Sequence, residues 1–494
     1  MLPPFADRVA KCALEHYRAL PNGGGKPQAS EWTVYASIVA HNSHSGDMWV
    51  VSCATGSKCT SLCSVVSSLP ADSSECKKVD ALSNSSSSSS INDSRQSHKG
   101  LVIKDSHAEV LSRRGLVASL WGEIEGNLHE FQAGRRVRED DPRALLECIQ
   151  SSSAFAPEFR FKKDVITLHM YVSESPCGDA TIYEIETTEG KTEVNFTGAK
   201  IILSGGEEHQ TTNITSLQEE PEGEVKVRLG REQVQIVKKL RVKSSRSNIP
   251  NKMRSMSLCC ADKIVRWSVF GLQGALLSKF LIEPITLTSI CVSRDPRSVD
   301  GGQLAALNRS LVERIDETLR AQKSKSHNRS LNALNVFIVD AFFESSKTSH
   351  EEKKAIARKR KIGLISKTKC DTDKPKRKAA CGMSLNWHRG SASVVEITVG
   401  ATGLKRGKKA KKLHDVPPLS SRLCRFNLCQ TFVRCSDIVA ALSNDKWHTD
   451  GNRGYLCLKR RHGSYIDDSS FCGPLLNWIR SGKEDDFEIS ITRG

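Results

Sequence analysis

The sequence has no run of apolar residues long enough to cross a membrane. The best candidate, residues 265–285, is interrupted by Arg266, Lys279, Glu283 and Pro284, whereas a membrane-spanning helix needs about 20 consecutive apolar residues. The N-terminus reads Met-Leu-Pro-Pro-Phe-Ala-Asp and lacks the basic and then apolar pattern of a secretory signal. We therefore expect an intracellular protein, in the nucleus or the cytoplasm, without a membrane partner.

Paired cysteine motifs are absent as well. The 17 cysteines are spread over 494 residues, their number is odd, and no two of them are spaced C-x-x-C. This distribution argues against a disulfide framework and against zinc ribbons or zinc fingers. Any metal ion must therefore take its ligands from distant parts of the chain. The sequence also lacks H-E-x-x-H, which excludes that zinc-protease motif.

Acidic residues are scarce in two segments that hold almost all of the excess charge. Residues 353–378 contain twelve Lys or Arg and two Asp, and residues 405–412 contain six more basic residues, so that together they carry +16 of the formal net charge of +17. Such segments attract phosphate or an import receptor, although a merely solvated insertion explains the first one about as well. We interpret 345–380 as a basic insertion and the serine-rich segment 67–97 as a disordered insertion.

Between these insertions, helical and strand patterns alternate. Residues 5–20 are typical of a helix, and residues 165–172 alternate between apolar and other side chains, which predicts a half-buried strand. Further strands are predicted over 33–39 and 49–53, as a hairpin, and over 336–342 and 391–399. Strands interleaved with helices predict a layered α/β fold.

His107 and Glu109 form the first candidate catalytic motif, at the start of a helix predicted to run to about residue 124. They belong to Asp105-Ser106-His107-Ala-Glu109. The same residues have a structural interpretation, because Ser106 and Glu109 have the S-x-x-E spacing of a capping box. Since His-x-Glu often occurs by chance, the cap is the better interpretation of this motif taken alone.

Cys177 lies in a second motif, Ser175-Pro-Cys177-Gly-Asp179, directly after the predicted strand 165–172. A thiolate near a helix N-terminus is stabilised by the helix dipole and by backbone N–H groups, which suits a metal ligand. A buried structural cysteine in a tight turn is the alternative. Together the two motifs match H-x-E…P-C-x-x-C, the signature of zinc nucleobase deaminases. Ala180 occupies the position of the second cysteine, so a further ligand must come from elsewhere.

A third motif supplies that ligand and makes the resemblance specific. The run Cys259-Cys260-Ala-Asp262-Lys263-Ile-Val-Arg-Trp, with the two motifs above, resembles the adenosine-to-inosine RNA deaminase (editase) family. In that family a cysteine just before a Ser-Asp-Lys segment completes the zinc site. Alignment on Asp262 and Lys263 makes Cys260 this ligand and Cys259 its neighbour, and Ala261 stands where the family usually has Ser.

The resemblance covers about residues 25 to 487 and implies one editase domain over 1–494, with its core at about 25–490. Further matches are Thr55-Gly-Ser-Lys-Cys59, Ser112-Arg-Arg114, Asn386-Trp387 and Ser421-Arg-Leu-Cys424. The implied fold is a cytidine-deaminase-like core, a mixed sheet flanked by helices, extended by a C-terminal region of helices and strands. The implied zinc ligands are His107, Cys177 and Cys260, and Glu109 is the implied catalytic acid and base.

Two features favour the branch of the family that acts on tRNA, at the adenosine immediately 3′ of the anticodon. One is Leu240-Arg-Val-Lys243, and the other is the short segment before the deaminase-like blocks, too short for a double-stranded-RNA-binding domain. An editor of double-stranded RNA stays open, as does a non-catalytic RNA-binding protein with a structural zinc site. We assume a monomer. The resemblance also implies that Ser57 contacts the ribose and Lys58 a phosphate of the target, with an ordinary turn as the alternative.

Basic residues beside buried helix faces predict a bound polyanion. Arg113 and Arg114 flank the apolar stripe of Val110, Val117 and Trp121, where an unpaired charge would cost several kcal/mol. Phosphates accept bidentate Arg and point-charge Lys contacts together. The resemblance names the anion as inositol hexakisphosphate and implies a relay through Asp105 and Lys263 towards the zinc site. The matching positions are Arg113, Arg114, Lys263, Arg266, Trp267, Gln273, Lys405, Tyr455, Lys459, Tyr465 and Trp478.

Overall fold

The computed structural model of the chain describes residues 4–60, 100–135, 141–149, 157–187, 190–195, 199–202, 208–209, 226–229, 233–243, 255, 257–323, 334–349, 379–390, 394–407, 416–443, 454–462 and 475. The predicted serine-rich insertion, 67–97, and the basic segment 353–378 lie outside these residues. Their disorder and the bounds of the domain therefore stay predictions.

Eight α-helices are found in these ranges: α1 (Phe5–Ala19), α2 (Ala108–Gln132), α3 (Cys260–Phe270), α4 (Gly302–Leu307), α5 (Arg314–Lys323), α6 (Val416–Leu419), α7 (Arg425–Ser443) and α8 (Tyr455–His462). A π-helix, Asn308–Glu313, joins α4 to α5, and two 3₁₀ turns occupy Asp179–Thr181 and Leu277–Lys279. Among the described residues, no helix combines the length and apolar character needed to cross a membrane.

The strands in the same ranges are β1 (Glu31–Trp32), β2 (Tyr35–Asn42), β3 (Met48–Thr55), β4 (Leu146–Ile149), β5 (Glu158–Phe161), β6 (Ile166–Val172), β7 (Tyr183–Glu186), β8 (Thr192–Asn195), β9 (Lys200–Ile202), β10 (Glu208–His209), β11 (Lys226–Leu229), β12 (Gln233–Ile236), β13 (Arg241–Val242), β14 (Ser289–Ser293), β15 (Asn335–Val339), β16 (Ala379–Ala380), β17 (Met383–His388), β18 (Glu396–Val399) and β19 (Leu404–Lys405).

The main sheet has eight described strands in the order β15-β14-β6-β2-β3-β17-β18-β19. The pairs β15-β14 and β14-β6 are parallel, and the other neighbours are antiparallel. The predicted hairpin of β2 and β3 is confirmed, with a register shift between Ile38 and Val39. The mixed sheet with helices around it confirms the predicted fold class.

Helices cover both faces of this sheet. On one face, Val9 and Ala13 of α1 pack with Tyr35, Val50 and Tyr171 of the central strands. On the other face, the alternate residues of β2 and β6 pack in one core with α2, α3 and α7. Because successive side chains of a strand point to opposite faces, β2 and β6 contribute to both cores.

The prediction that β6 is half-buried is wrong. Its apolar residues Ile166, Leu168, Met170 and Val172 face the α2 side, but the intervening His169 and Tyr171 are also buried, at 3% and 0% exposure. His169 Nδ1 lies 2.8 Å from Ser289 Oγ, and the Tyr171 hydroxyl lies 2.7 Å from Ser293 Oγ. These hydrogen bonds satisfy polar groups that the second helical layer removes from water.

The other predicted elements exist with shifted ends. The first helix agrees with α1 within one residue, whereas the helix that starts near His107 continues past residue 124 to Gln132. Buried Leu128 extends the apolar face of this helix by one more turn. The predicted strands 336–342 and 391–399 are observed as Asn335–Val339 and Glu396–Val399.

The substitution Leu120→Ala tests the α2 side of the core. Leu120 is fully buried there, so we expect the free energy of unfolding to fall by about 2–5 kcal/mol. Val394→Ala is the control, because its side chain is 67% exposed and its loss should cost less than about 0.5 kcal/mol. Urea unfolding followed by circular dichroism measures both, and equal effects would contradict this packing.

Candidate metal and catalytic site

Three sequence-predicted ligands meet beside the end of β6. His107 directly precedes α2, Cys177 lies in the loop after β6, and Cys260 is the first residue of α3. His107 Nδ1 lies 3.7 Å from Cys177 Sγ and 3.6 Å from Cys260 Sγ. A tetrahedral zinc with Zn–N of about 2.1 Å and Zn–S of about 2.3 Å would separate such atoms by about 3.6 Å. The three side chains therefore fit a zinc ion.

Backbone contacts hold the two cysteine segments together. The N–H of Ala261 donates to the carbonyl of Cys177 at 3.1 Å, and the N–H of Cys260 points to Cys177 Sγ at 3.3 Å. Gly178 permits this approach, since it has a φ of 112° and a Cβ there would lie 2.7 Å from Cys259 Cβ. A larger residue at 178 would separate the segments that carry two of the candidate ligands.

The helix N-terminus next to Cys177 is that of α3, and not that of a helix directly following Cys177 in sequence. The residues after Cys177 form only the 3₁₀ turn Asp179–Thr181, and the N–H groups come from the start of α3. Hydrogen bonds from the side chains of Cys259 and Cys260 hold the pKa of Cys177 well below its usual range. The thiolate form, which binds metals, is therefore favoured at Cys177.

Glu109 has no capping role in this structure. His107 is the N-cap of α2, and no side-chain hydrogen bond caps the helix. Within the described residues, Ser106 Oγ and Glu109 Oε2 are buried and have no hydrogen-bond partner. The capping-box interpretation is wrong, because neither side chain reaches the backbone N–H that such a box requires. Burial, and next the charge of Cys177, raises the pKa of Glu109, so the carboxyl can hold a proton.

Asp105 links two lysines to the candidate metal ligands. Lys263 Nζ lies 2.5 Å from Asp105 Oδ2, which is the pair that the sequence predicts. Lys243 Nζ lies 2.7 Å from the same oxygen and 3.3 Å from Cys260 Sγ. Burial would raise the pKa of Asp105, but Lys243 and Lys263 hold it well below its usual range. Cys59, Asp105 and His107 also lie close enough to share a metal, although the two lysines already engage this carboxylate.

Lys243 is a site residue that the sequence alone did not reveal. In the sequence, Leu240-Arg-Val-Lys243 indicates only a branch of the family. The structure shows the Lys243 side chain 6% exposed, between Asp105 and Cys260. Its pKa is raised well above the usual range, because Asp105 and the cysteines outweigh the effect of burial. In the sequence nothing distinguishes Lys243 from an ordinary surface lysine, because its partner Asp105 lies 138 residues away.

The segment with Ser57 and Lys58 borders the same site. Ser106 N–H donates to the carbonyl of Lys58 at 2.9 Å, and Ala108 N–H donates to the carbonyl of Gly56 at 3.1 Å. Gly56 has a φ of 146°, and a Cβ there would lie 2.0 Å from the carbonyl oxygen of Ser106. Within the described residues, the buried Ser57 hydroxyl has no hydrogen-bond partner. This arrangement brings Ser57 and Lys58 beside His107.

One turn after Glu109, α2 carries Arg113 and Arg114, which form a basic cluster with Arg425. Arg113 Nε donates to the carbonyl of Leu272, and Arg114 donates to the carbonyl of Leu423, both at 2.6 Å. Burial, and next the positive charge of Arg425, lowers the pKa of Arg114. Like charges placed together in a buried position disfavour each other unless an anion is present. The cluster therefore fits a polyanionic ligand.

Comparison with known proteins gives the family. The model of the adenosine-deaminase (editase) domain matches residues 83–480. The chain belongs to the editase family. Its relatives in that family include proteins named for tRNA and proteins named for double-stranded RNA.

Three of these editases show how far the similarity reaches. The tRNA-specific adenosine deaminase 1 of Drosophila melanogaster is 26% identical over 323 residues, which are 63% of this chain and 60% of that protein. The double-stranded RNA-specific editase B2 of Mus musculus is 30% identical over 345 residues, 66% of this chain and 38% of that protein. The tRNA-specific adenosine deaminase 1 of Homo sapiens is 22% identical over 539 residues, 90% of each. The chain thus spans less than two thirds of the first two relatives.

The predicted anion-binding residues of this editase differ in their contacts, and two of them lie outside the described residues. Lys459 Nζ lies 5.8 Å from the Tyr455 ring centre, and the Arg113 guanidinium lies 5.9 Å from that of Trp267. The Gln273 side chain is engaged with protein backbone, since it accepts from Ile285 N–H and donates to the Phe270 carbonyl. Arg266 lies on α3 with Lys263. Tyr465 and Trp478 lie outside the described residues.

Arg425 joins this cluster, in addition to the residues predicted from the sequence. Lys405 lies on the edge strand β19, paired with Thr398, whereas Arg425 begins α7 close to Arg114. The signal was available, because Arg425 directly follows the matched run Ser421-Arg-Leu-Cys424. The role of Lys405 as an anion ligand stays a prediction.

The two adjacent cysteines provide a test of the metal site. We expect Cys260→Ser to lose bound zinc and Cys259→Ser to retain it, because Cys260 Sγ is the sulfur that lies 3.6 Å from His107 Nδ1. Inductively coupled plasma mass spectrometry of the purified variants measures the metal content. The opposite result, with zinc lost only from the Cys259 variant, would exchange their roles.

Proposed function

We propose that the chain is a zinc-dependent deaminase that hydrolyses adenosine to inosine in tRNA, at the adenosine immediately 3′ of the anticodon (position 37). The observation that carries the chemistry is the meeting of His107, Cys177 and Cys260 beside the buried carboxyl of Glu109. The preference for tRNA rests on the similarity to the two tRNA-specific adenosine deaminases.

In the proposed reaction, the three ligands bind the metal and Glu109 transfers protons. Zinc held by His107, Cys177 and Cys260 would supply Lewis acidity that makes water reactive near neutral pH. Glu109 takes one proton from the attacking water and delivers it to the ring nitrogen, and it then moves the remaining proton of that water oxygen to the leaving amine. The oxygen of water joins C6 of the adenine, the C6–N bond breaks, and ammonia leaves. The raised pKa of Glu109 suits a group that must hold and release a proton.

The bordering segment is proposed to hold the nucleotide. Ser57 would contact its ribose, and Lys58 a flanking phosphate. A target base must leave its stack to enter a buried site. This costs less in the single-stranded loop of a tRNA than in a duplex.

Incubation of the purified protein with total tRNA, followed by sequencing for A-to-G changes, tests the proposal. We expect the change at position 37, and we expect Glu109→Gln to lower the rate at least about a hundredfold because an amide cannot transfer the proton. The variant should retain its metal and fold. Near-normal activity of Glu109→Gln would overturn the mechanism, since Gln would be tolerated in a purely structural position.

Two other functions give different results in the same experiment. An editor of double-stranded RNA, which the 30% identity to the mouse editase B2 favours, would modify a duplex and leave tRNA unchanged. A non-catalytic RNA-binding protein would retain metal and bind RNA without producing inosine. A buried carboxyl oxygen without a hydrogen-bond partner has a use in the first case but not in the second.

We also propose that inositol hexakisphosphate occupies the basic cluster around Arg113 and Arg114. Six phosphate groups would compensate the like charges of Arg114 and Arg425, and Lys263 would connect the anion to Asp105. Among the described residues, the proposed set is completed by Arg266, Trp267, Gln273, Lys405, Tyr455 and Lys459. A ligand of the native state alone stabilises the fold by mass action, so this anion acts as a folding cofactor.

Protein produced in cells that cannot synthesise inositol hexakisphosphate tests this second proposal. We expect it to be insoluble or inactive, because the arginines would repel each other without an anion. Soluble yield and the melting temperature, compared with protein from parental cells, are the measurements. A stable and fully active product from the deficient cells would contradict the proposal.

A further inference from the structure

Each candidate metal-binding cysteine is followed two residues later by a buried aspartate that is not a ligand in the group of His107, Cys177 and Cys260. Asp179 follows Cys177 and is 0% exposed, and Asp262 follows Cys260 and is 1% exposed. Buried carboxylates require compensation by charge and hydrogen bonds. Their partners therefore indicate what fixes the two cysteine segments.

One short helical segment provides a positive charge for each aspartate. Arg314, which is 0% exposed, places Nη1 2.7 Å from Asp262 Oδ1. Arg309 lies 3.7 Å from Asp179 Oδ1 and donates to the carbonyl groups of Asp179 and Ile182 at 3.1 and 3.0 Å. The 3₁₀ turn after Cys177 and the first turn of α3 are thus both bound to residues 309–314.

The π-helix explains how two arginines five residues apart reach neighbouring targets. In an α-helix, a separation of five residues turns the side chains about 140° away from each other. In a π-helix, hydrogen bonds connect residues i and i+5, so such residues lie nearly above one another. This π-helix is Asn308–Glu313; it contains Arg309, and Arg314 directly follows its last residue. Single π-turns are rare and frequently occur at functional sites.

The loop that carries Lys243 is attached to the same segment. Lys238 has the left-handed φ of 63°, donates its N–H to Asp179 Oδ2 at 3.0 Å, and contacts Glu313 through Nζ at 2.6 Å. Three residues later, Arg241 donates its N–H to Asp262 Oδ2 at 2.9 Å. Lys238 and Arg241 thus fix the backbone just before Lys243, which follows Arg241 by two residues.

We propose that Arg309 and Arg314 are positioning residues of the metal site, which set the separation of Cys177 and Cys260 through Asp179 and Asp262. The inference rests on the proposed zinc site, and it assigns the π-helix a role in that site. Partners outside the ligand shell commonly change metal affinity or activity about 10- to 100-fold when they are removed. Removal of a fully buried charge can also prevent folding, so the variants must include mild ones.

The experiment compares Arg309→Met and Arg314→Lys with the control Arg389→Met in the full chain. Arg314→Lys keeps the charge and loses the planar fork, whereas Arg389 pairs with Asp141 and Glu123, away from the ligand segments. The zinc is replaced by Co²⁺, and the thiolate-to-cobalt absorption and the rate of metal release to a chelator are measured. A steady-state assay separates kcat from KM for the RNA.

We expect both test variants to release Co²⁺ at least about tenfold faster, with a shifted absorption band and a lowered kcat at unchanged KM. Arg389→Met should lower only the thermal stability. Release rates and spectra equal to those of the unsubstituted protein would overturn the role of the π-helix. A chain that binds Co²⁺ without any thiolate absorption would instead overturn the proposed zinc site, so the two failures are distinguishable.

Discussion

The contact between the Cys177 loop and the first turn of α3 is the constraint on which the site depends. Its two backbone groups, the N–H of Cys260 and the N–H of Ala261, bring together cysteines that are 83 residues apart in sequence. The sheet supplies one side of this contact, because β6 ends just before Cys177, and α3 supplies the other. At Gly178 a side chain would collide with Cys259, so the lack of one makes the contact between the two segments possible.

Around this contact, buried charges occur in compensated groups. Asp105 lies between Lys243 and Lys263, and Asp262 lies against Arg314. Removal of one member from such a group leaves an unpaired charge in a medium that solvates it poorly, which costs more than the pair contributes. The groups therefore restrict how the ligand segments can move relative to each other, even though each pair adds little net stability.

The sequence predicted the parts of the site that lie within short motifs, and the structure was needed for the rest. His107, Glu109, Cys177 and Cys260 each belong to a run whose spacing resembles one family, so they could be identified without coordinates. Lys243 could not, because its partner Asp105 lies 138 residues away in sequence. Likewise, the alternation in β6 revealed a strand but not the second covered face, since periodicity says nothing about which layers assemble on a sheet.

The helix α2 carries the candidate catalytic carboxyl and two residues of the basic cluster at a fixed separation. Glu109 lies in its first turn, and Arg113 and Arg114 follow four and five residues later, which is about 6 to 7.5 Å along the axis. This continuous helix of 25 residues packs between the sheet and α7, and its backbone hydrogen bonds fix that separation. Glu109 and the two arginines therefore cannot change their distance along the axis unless backbone hydrogen bonds of α2 break.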